Sequence, residues 1–320
     1  MAMRSPLPVR DGVGATRLHV PLTGPWPTVS AYMVERFFHL DPRWLLSRFD
    51  DGEIVAFDGS AVARDAPLGA EEFVWYYREP PAETHIPFEI EILHQDRDLV
   101  VIDKPHFLPS TPAGRYVQNS ALVRLRRLLD NPDLAPVHRL DRATAGLLMF
   151  SARPVTRGAY QTLFQRRAIE KVYEAVSARP ADWTDDLPRT VRLHIEKPRA
   201  QVCVEVDTER EPNSETLIEL LDADEHVVHT LLHPHTGKMH QLRVHLASIG
   251  LGILHDNLYP ILTDEKPDDH DRPLQLLARE LRFTDPLSGE PREFLTRRRL
   301  RYAPGGAPTS GDPGTATTRF

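Results

Sequence analysis

Residues 137–150, VHRLDRATAGLLMF, set one carboxylate, Asp141, between two guanidinium groups, Arg139 and Arg142, and follow them with an apolar run. Neighbouring positive charge favours the ionised carboxylate. In that state it can attack an electrophilic carbon or remove a proton. The same three residues could equally form an exposed ion pair on a loop, which contributes little energy. A second set, His229, His233, His235, His240 and His245, has the residue type of a zinc site. No Asp or Glu lies among them and three or four ligands would have to converge, so no metal is expected.

The elements that must position these side chains follow from periodicity and turn signals. Two strands are expected at 91–94 and 99–102, joined by the polar turn Gln95-Asp96-Arg97-Asp98, with Lys104-Pro105 closing the second. Ser120 is an expected N-cap for ALVRLRRLL, in which Leu122, Leu125 and Leu129 share a face. A further helix is expected after Thr156, with Tyr160, Leu163 and Phe164 turned inward. Residues 1–33, rich in Pro and Gly, read as an extended lead-in. Over 34–80 a small α/β module is expected: a short helical pair carrying Phe37, Leu40, Leu45, Leu46 and Phe49, then EIVAFDG and FVWYY as strands. Pro80-Pro81 marks a linker, and the main domain is expected over 90–302. Residues 303–320 carry too little apolar surface to offset the entropy of ordering them, so a disordered tail is expected.

With 320 residues, the chain can hold a main domain of about 200 residues and an appendage. It carries 39 Lys and Arg against 46 Asp and Glu, a net charge of -7. Such a total weighs against a polyanionic partner, but its distribution is uneven. The segments 1–89, 90–175, 176–230 and 231–320 carry -5, +4, -7 and +1. The basic segment is the one that holds Asp141, so an anionic ligand is admissible there. Cys203 is the single cysteine, which excludes a disulfide within the chain. No run approaches the roughly 18 apolar residues of a membrane span and the N-terminus lacks the apolar core of a secretory signal, so a soluble, cytoplasmic protein is expected.

The segment HRLDRATAGLLMF resembles the H-R-L-D-x-x-T-S-G-L-L-L motif of the RluA family of RNA pseudouridine synthases. Other segments resemble that family in the same order: DLVVIDKP, FQRRAIEKVYEAV, HPHTGKMHQLRVHLASIGLGILHDNLY and LQLLARELRFTDPLSGE. The resemblance covers roughly residues 90–295, and several motifs in order are far more specific than one. It implies an α+β pseudouridine synthase fold, a mixed and mostly antiparallel sheet flanked by helices. It also implies that Asp141 is the catalytic carboxylate, Tyr173 the aromatic residue that packs on the target base, and Arg243 the partner that keeps Asp141 ionised. Arg139 would fill the space left by the flipped base. RNA contacts would also come from Arg142, Lys104, Lys171, Lys238, His240 and Gln241.

The family's activity needs no cofactor, and its partner would be structured RNA, acted on by a monomer. Residues 34–80 resemble the second half of an S4-type RNA-binding module, which favours ribosomal over transfer RNA, although their charge of -5 is unusual for such a role. A non-catalytic RNA-binding or ribosome assembly factor is the competing reading. Three departures stand out: Ala145 replaces the usual Ser, Lys238-Met239 the usual Arg-Thr, and His255 the usual Gly before Asp256.

Overall fold

A computed structural model describes residues 5–78, 83–198, 201–263 and 267–304. In chain order the elements are β1 (Thr16–His19), α1 (Val29–Arg36), α2 (Pro42–Asp50), β2 (Phe73–Tyr76), β3 (Glu91–Gln95), β4 (Leu99–Lys104), α3 (Ala121–Leu128), β5 (Ala135–Pro136), β6 (Ala145–Ser151), α4 (Pro154–Gln165), β7 (Ile169–Ala178), β8 (Arg189–Glu196), β9 (Glu205–Asp207), β10 (Ser214–Ala223), β11 (Val227–Pro234), α5 (Gln241–Ser248), β12 (Leu276–Thr284) and β13 (Pro291–Leu295). They divide into two compact units.

The smaller unit takes residues 1–83 with 113–118 and 123–132. Its helices start where short polar side chains satisfy open backbone donors: the Ala31 amide donates to Thr28 Oγ1 at 3.1 Å, and the Arg43 amide to Asp41 Oδ1 at 2.8 Å. Val29, Met33, Leu45, Phe49, Ile54 and Val74 pack into its core. Two expectations change here. The lead-in is not featureless, because β1 pairs antiparallel with β2 and α1 begins at Val29. EIVAFDG is not a strand: only Val55 pairs, with Trp75 and with Ala61, so one residue bridges where a ladder was expected. The tail at 305–320 lies outside the described residues.

The larger unit is built on a sheet ordered β3-β4-β6-β12-β7-β11-β10-β8-β9, with β13 added to β12 and β5 to β6. Every pairing is antiparallel except β6 with β12, which gives the mixed, mostly antiparallel sheet expected. β4 and β6 are buried along their whole length, which explains why LVVI and LLMF read as unbroken apolar runs and not as alternation. The β6–β12 seam is tight. Gly146 has φ +106, and a Cβ placed there would lie 2.2 Å from the Ala278 carbonyl oxygen. Glycine is therefore required at that point.

α5 is buried from Gln241 to Leu246, so a helix carrying Gln, Arg and His sits inside the unit. Its polar groups are paired in a chain running one way. Thr236 Oγ1 donates to Gln241 Oε1, Gln241 Nε2 to Thr216 Oγ1, Thr216 Oγ1 to His245 Nδ1, His245 Nε2 to Ser214 Oγ, and Ser214 Oγ to the Leu193 carbonyl. The last bond uses the only hydroxyl proton of Ser214, which fixes His245 as a neutral ring protonated on Nε2. Among the described residues no helix is long and apolar enough to cross a membrane.

Candidate active site

Asp141 lies on the loop between β5 and β6, and the side chains of Ser110, His106, His138 and Lys104 hold that loop. Ser110 Oγ donates to the Leu140 carbonyl at 2.7 Å while the Leu140 amide donates back to Ser110 Oγ at 3.0 Å. His106 Nδ1 donates to the Ala143 carbonyl at 2.7 Å. The Met149 amide donates to His138 Nε2 at 3.1 Å, so that imidazole is neutral, and its ring stacks on Phe164. Lys104 Nζ, fully buried, donates to the carbonyls of Pro105, Leu108 and Arg142 at 3.0, 2.8 and 3.2 Å. Burial pulls the Lys104 pKa well below its ordinary value, against the opposing field of Asp141. Burial also lowers His106 to about 4 and His138 to about 3.

The carboxylate so placed is 29% exposed, and its Oδ2 faces Arg243 Nη1 at 3.6 Å and His240 Nε2 at 3.9 Å. Arg243 is 5% exposed and comes from the first turn of buried α5. Its other nitrogens grip Asp256, Nε to Oδ2 at 2.8 Å and Nη2 to Oδ1 at 2.5 Å, while Asp256 is wholly buried. The Asp256 carboxylate also accepts the amides of Leu258 and Tyr259. Burial opposes the Arg243 charge, but the hydrogen bonds and field of Asp256, with that of Asp141, together raise its pKa. The guanidinium is thus a fixed cation whose third nitrogen is turned to Asp141. His255 takes φ 62, the left-handed backbone that the usual glycine would supply, so this departure leaves Asp256 in place.

Tyr173 stands on β7, in register with Leu232 of β11 and Ala278 of β12. Burial, reinforced by the Asp141 charge, raises its pKa, so it stays a neutral phenol. It packs against the core cluster of Ala175, Leu232, Leu242 and Leu276, whose partly buried neighbours include Ala143 from the Asp141 loop.

Asp141 and Arg243 meet as expected, and the charge of Asp141 acts on Tyr173. Arg139 and Lys238 are exposed, as an RNA contact requires. Lys171 donates to the Thr236 carbonyl at 3.1 Å and has its pKa lowered to about 8 by burial and by Arg167. Arg142 makes a two-point ion pair with Asp268 at 2.7 and 2.8 Å.

Three expectations are corrected by burial. Lys104 spends its hydrogen bonds on carbonyls beneath the loop, Gln241 spends its amide on Glu215 and Thr216 of β10, and His240 is 8% exposed with both ring nitrogens facing protein groups. Their type marks them as polar, but only the fold turns them inward. The histidines considered for zinc disperse: His229 faces Glu174, His233 faces Glu219, and His245 belongs to the chain that joins α5 to β10. Among the described residues no group of three His, Cys, Asp or Glu could hold a metal. Asp256, Tyr259, Ser110 and His106 went unread as site residues, although the segment LHDNLY contained the first two.

Comparison with known proteins matches residues 98–248 to the family described as RNA pseudouridylate synthase. An uncharacterized RNA pseudouridine synthase of Synechocystis is 30% identical over 230 residues, which cover 70% of this chain and 77% of that one. The dual-specificity RNA pseudouridine synthase RluA of Vibrio cholerae is 33% identical over 204 residues, 62% of this chain and 79% of that one. The structure of human RNA pseudouridylate synthase domain containing 1 superposes with a TM-score of 0.52 at 24% identity, over 68% of this chain and 86% of that one.

Proposed function

Because the chain belongs to the RluA-type family of RNA pseudouridine synthases and is an isomerase of RNA, we propose that it converts specific uridines through Asp141. The observation that carries this reading is the Asp141 carboxylate facing a buried guanidinium that Asp256 holds from behind. Isomerisation breaks the N1–C1′ bond, turns the uracil, joins C5 to C1′, moves the C5 proton away and places a proton on N1. The sum has no redox change and needs no cofactor. Asp141 starts the sequence either by attacking C1′ or by taking a ribose proton, and both routes need it ionised beside Arg243. The base must first leave its stack at a cost of a few kcal/mol, and the Tyr173 ring offers it a new face. Arg139, Lys238 and Lys171 supply cations for the RNA backbone.

The substrate within this reading is ribosomal RNA, supported by the S4-like segment at 34–80. Transfer RNA, likewise a structured RNA, is the second reading. Mapping pseudouridines in total cellular RNA with and without the gene separates the two.

Asp141→Asn is expected to abolish tritium release from RNA carrying 5-tritiated uridine while RNA binding changes by no more than a few fold. Full activity in this variant overturns the assignment. Loss of activity together with loss of binding in a folded protein would make Asp141 a binding residue.

A further inference from the structure

We propose that His240 is a positioning residue for Asp141, holding the carboxylate through an Nε2–H donor whose tautomer is set by Tyr259. This inference rests on the Asp141 reading above and extends it to a second contact on the same oxygen.

The geometry starts at Tyr259. Its hydroxyl oxygen receives the Val204 amide at 2.7 Å and lies 2.9 Å from His240 Nδ1. With one lone pair occupied by Val204, the hydroxyl can direct its proton at Nδ1, and the neutral ring then carries its own proton on Nε2. That nitrogen is the one that faces Asp141 Oδ2, at 3.9 Å. The separation exceeds a hydrogen bond, as catalytic contacts often do before substrate closes the site.

The groups acting on the ring are Asp141 and Arg243 at the cleft, Asp256 behind Arg243, Lys197 beyond β8, and Tyr259, which meets the ring edge to face. Burial lowers its pKa below the ordinary value, which keeps it a neutral donor at pH 7. The backbone also pays for this placement. His240 has φ 55 immediately before α5, a left-handed conformation that a residue other than glycine adopts at a cost, and which aims the ring at the loop and not outward. Arg243 and His240 thus reach the same oxygen from one helix start.

Two substitutions test the role. His240→Asn tolerates the left-handed backbone but is too short to reach Asp141, whereas His240→Gln can place an amide N–H near the lost Nε2. Single-turnover tritium release at saturating RNA is measured from pH 5.5 to 9, with RNA affinity measured alongside. His240→Asn should slow the reaction 10- to 100-fold with affinity within twofold of the original.

His240→Gln should recover most of the rate. Tyr259→Phe should slow the reaction more mildly, and the double variant His240→Asn with Tyr259→Phe should be no slower than His240→Asn alone. An unchanged rate in folded His240→Asn, a loss confined to affinity, or no recovery in folded His240→Gln would each overturn the proposal. An active Asp141→Asn overturns the underlying assignment instead, so the two failures are distinguishable.

Discussion

Arg243 has Asp256 behind it and Asp141 in front, and the two carboxylates are used differently. Asp256 is wholly buried and takes two nitrogens, so it neutralises and orients the cation; Asp141 sees the third nitrogen at 3.6 Å and keeps its reactivity. Removing the rear partner breaks a buried two-point ion pair and leaves the cation only the looser Asp141 contact, which costs about 3–5 kcal/mol. Asp256→Asn is therefore expected to lower stability by about that amount in chemical denaturation. It should also reduce tritium release at least tenfold at temperatures where the variant is folded, because Arg243 is no longer fixed. Asp141 and Arg243 were legible because their motifs carry them. The pairing with Asp256 was not, since the partners are thirteen positions apart and a charged residue in a sequence names no partner. Lys104 and Gln241 were misread for a related reason: polarity gives the valence of a side chain but not the direction it faces.

Strand β6 delivers the Asp141 loop, and its place beside β12 depends on the absence of a side chain at Gly146. Gly146→Ala would drive a Cβ into the Ala278 carbonyl and force a left-handed backbone on alanine. The seam must open, and a destabilisation above about 3 kcal/mol is expected, within the range for strain and overpacking in a core. Thermal melting measures it, and a melting temperature within a degree of the original would contradict the account. Elements with a strong local signal were legible: the helical pair, the β3–β4 hairpin and the helix after Thr156. β1 was not, because it lies among Pro and Gly and exists only through β2. EIVAFDG failed in the opposite sense, having strand-like residues but partners for Val55 alone. A strand is a relation between two segments, so a pattern in one of them is only half of the information.

Over the whole molecule, three histidines held neutral by the fold make acid the weak side of the stability curve. His106 and His245 have pKa values lowered to about 4 and His138 to about 3, all by burial, against about 6.5 in an unfolded chain. Their folded values are depressed, so below pH 6.5 the unfolded chain binds protons that the folded one refuses. Stability should be flat with respect to these groups above about pH 7 and fall as pH drops from 6.5 towards 4, by up to about 1.4 kcal/mol per pH unit for each. Urea denaturation across that range checks the slope, and stability independent of pH there would show that the three rings are not held neutral. The mixed sheet was legible through ordered motifs; the charge of -7 was legible only as a total, and it became informative once its basic part coincided with the Asp141 segment. His245 has one more consequence. From Thr236 through Gln241, Thr216 and His245 to Ser214, every proton is handed on in the same direction, so no link can be reversed alone. Heredity should therefore treat these five positions as a single word, replaced whole in a descendant lineage or kept letter for letter.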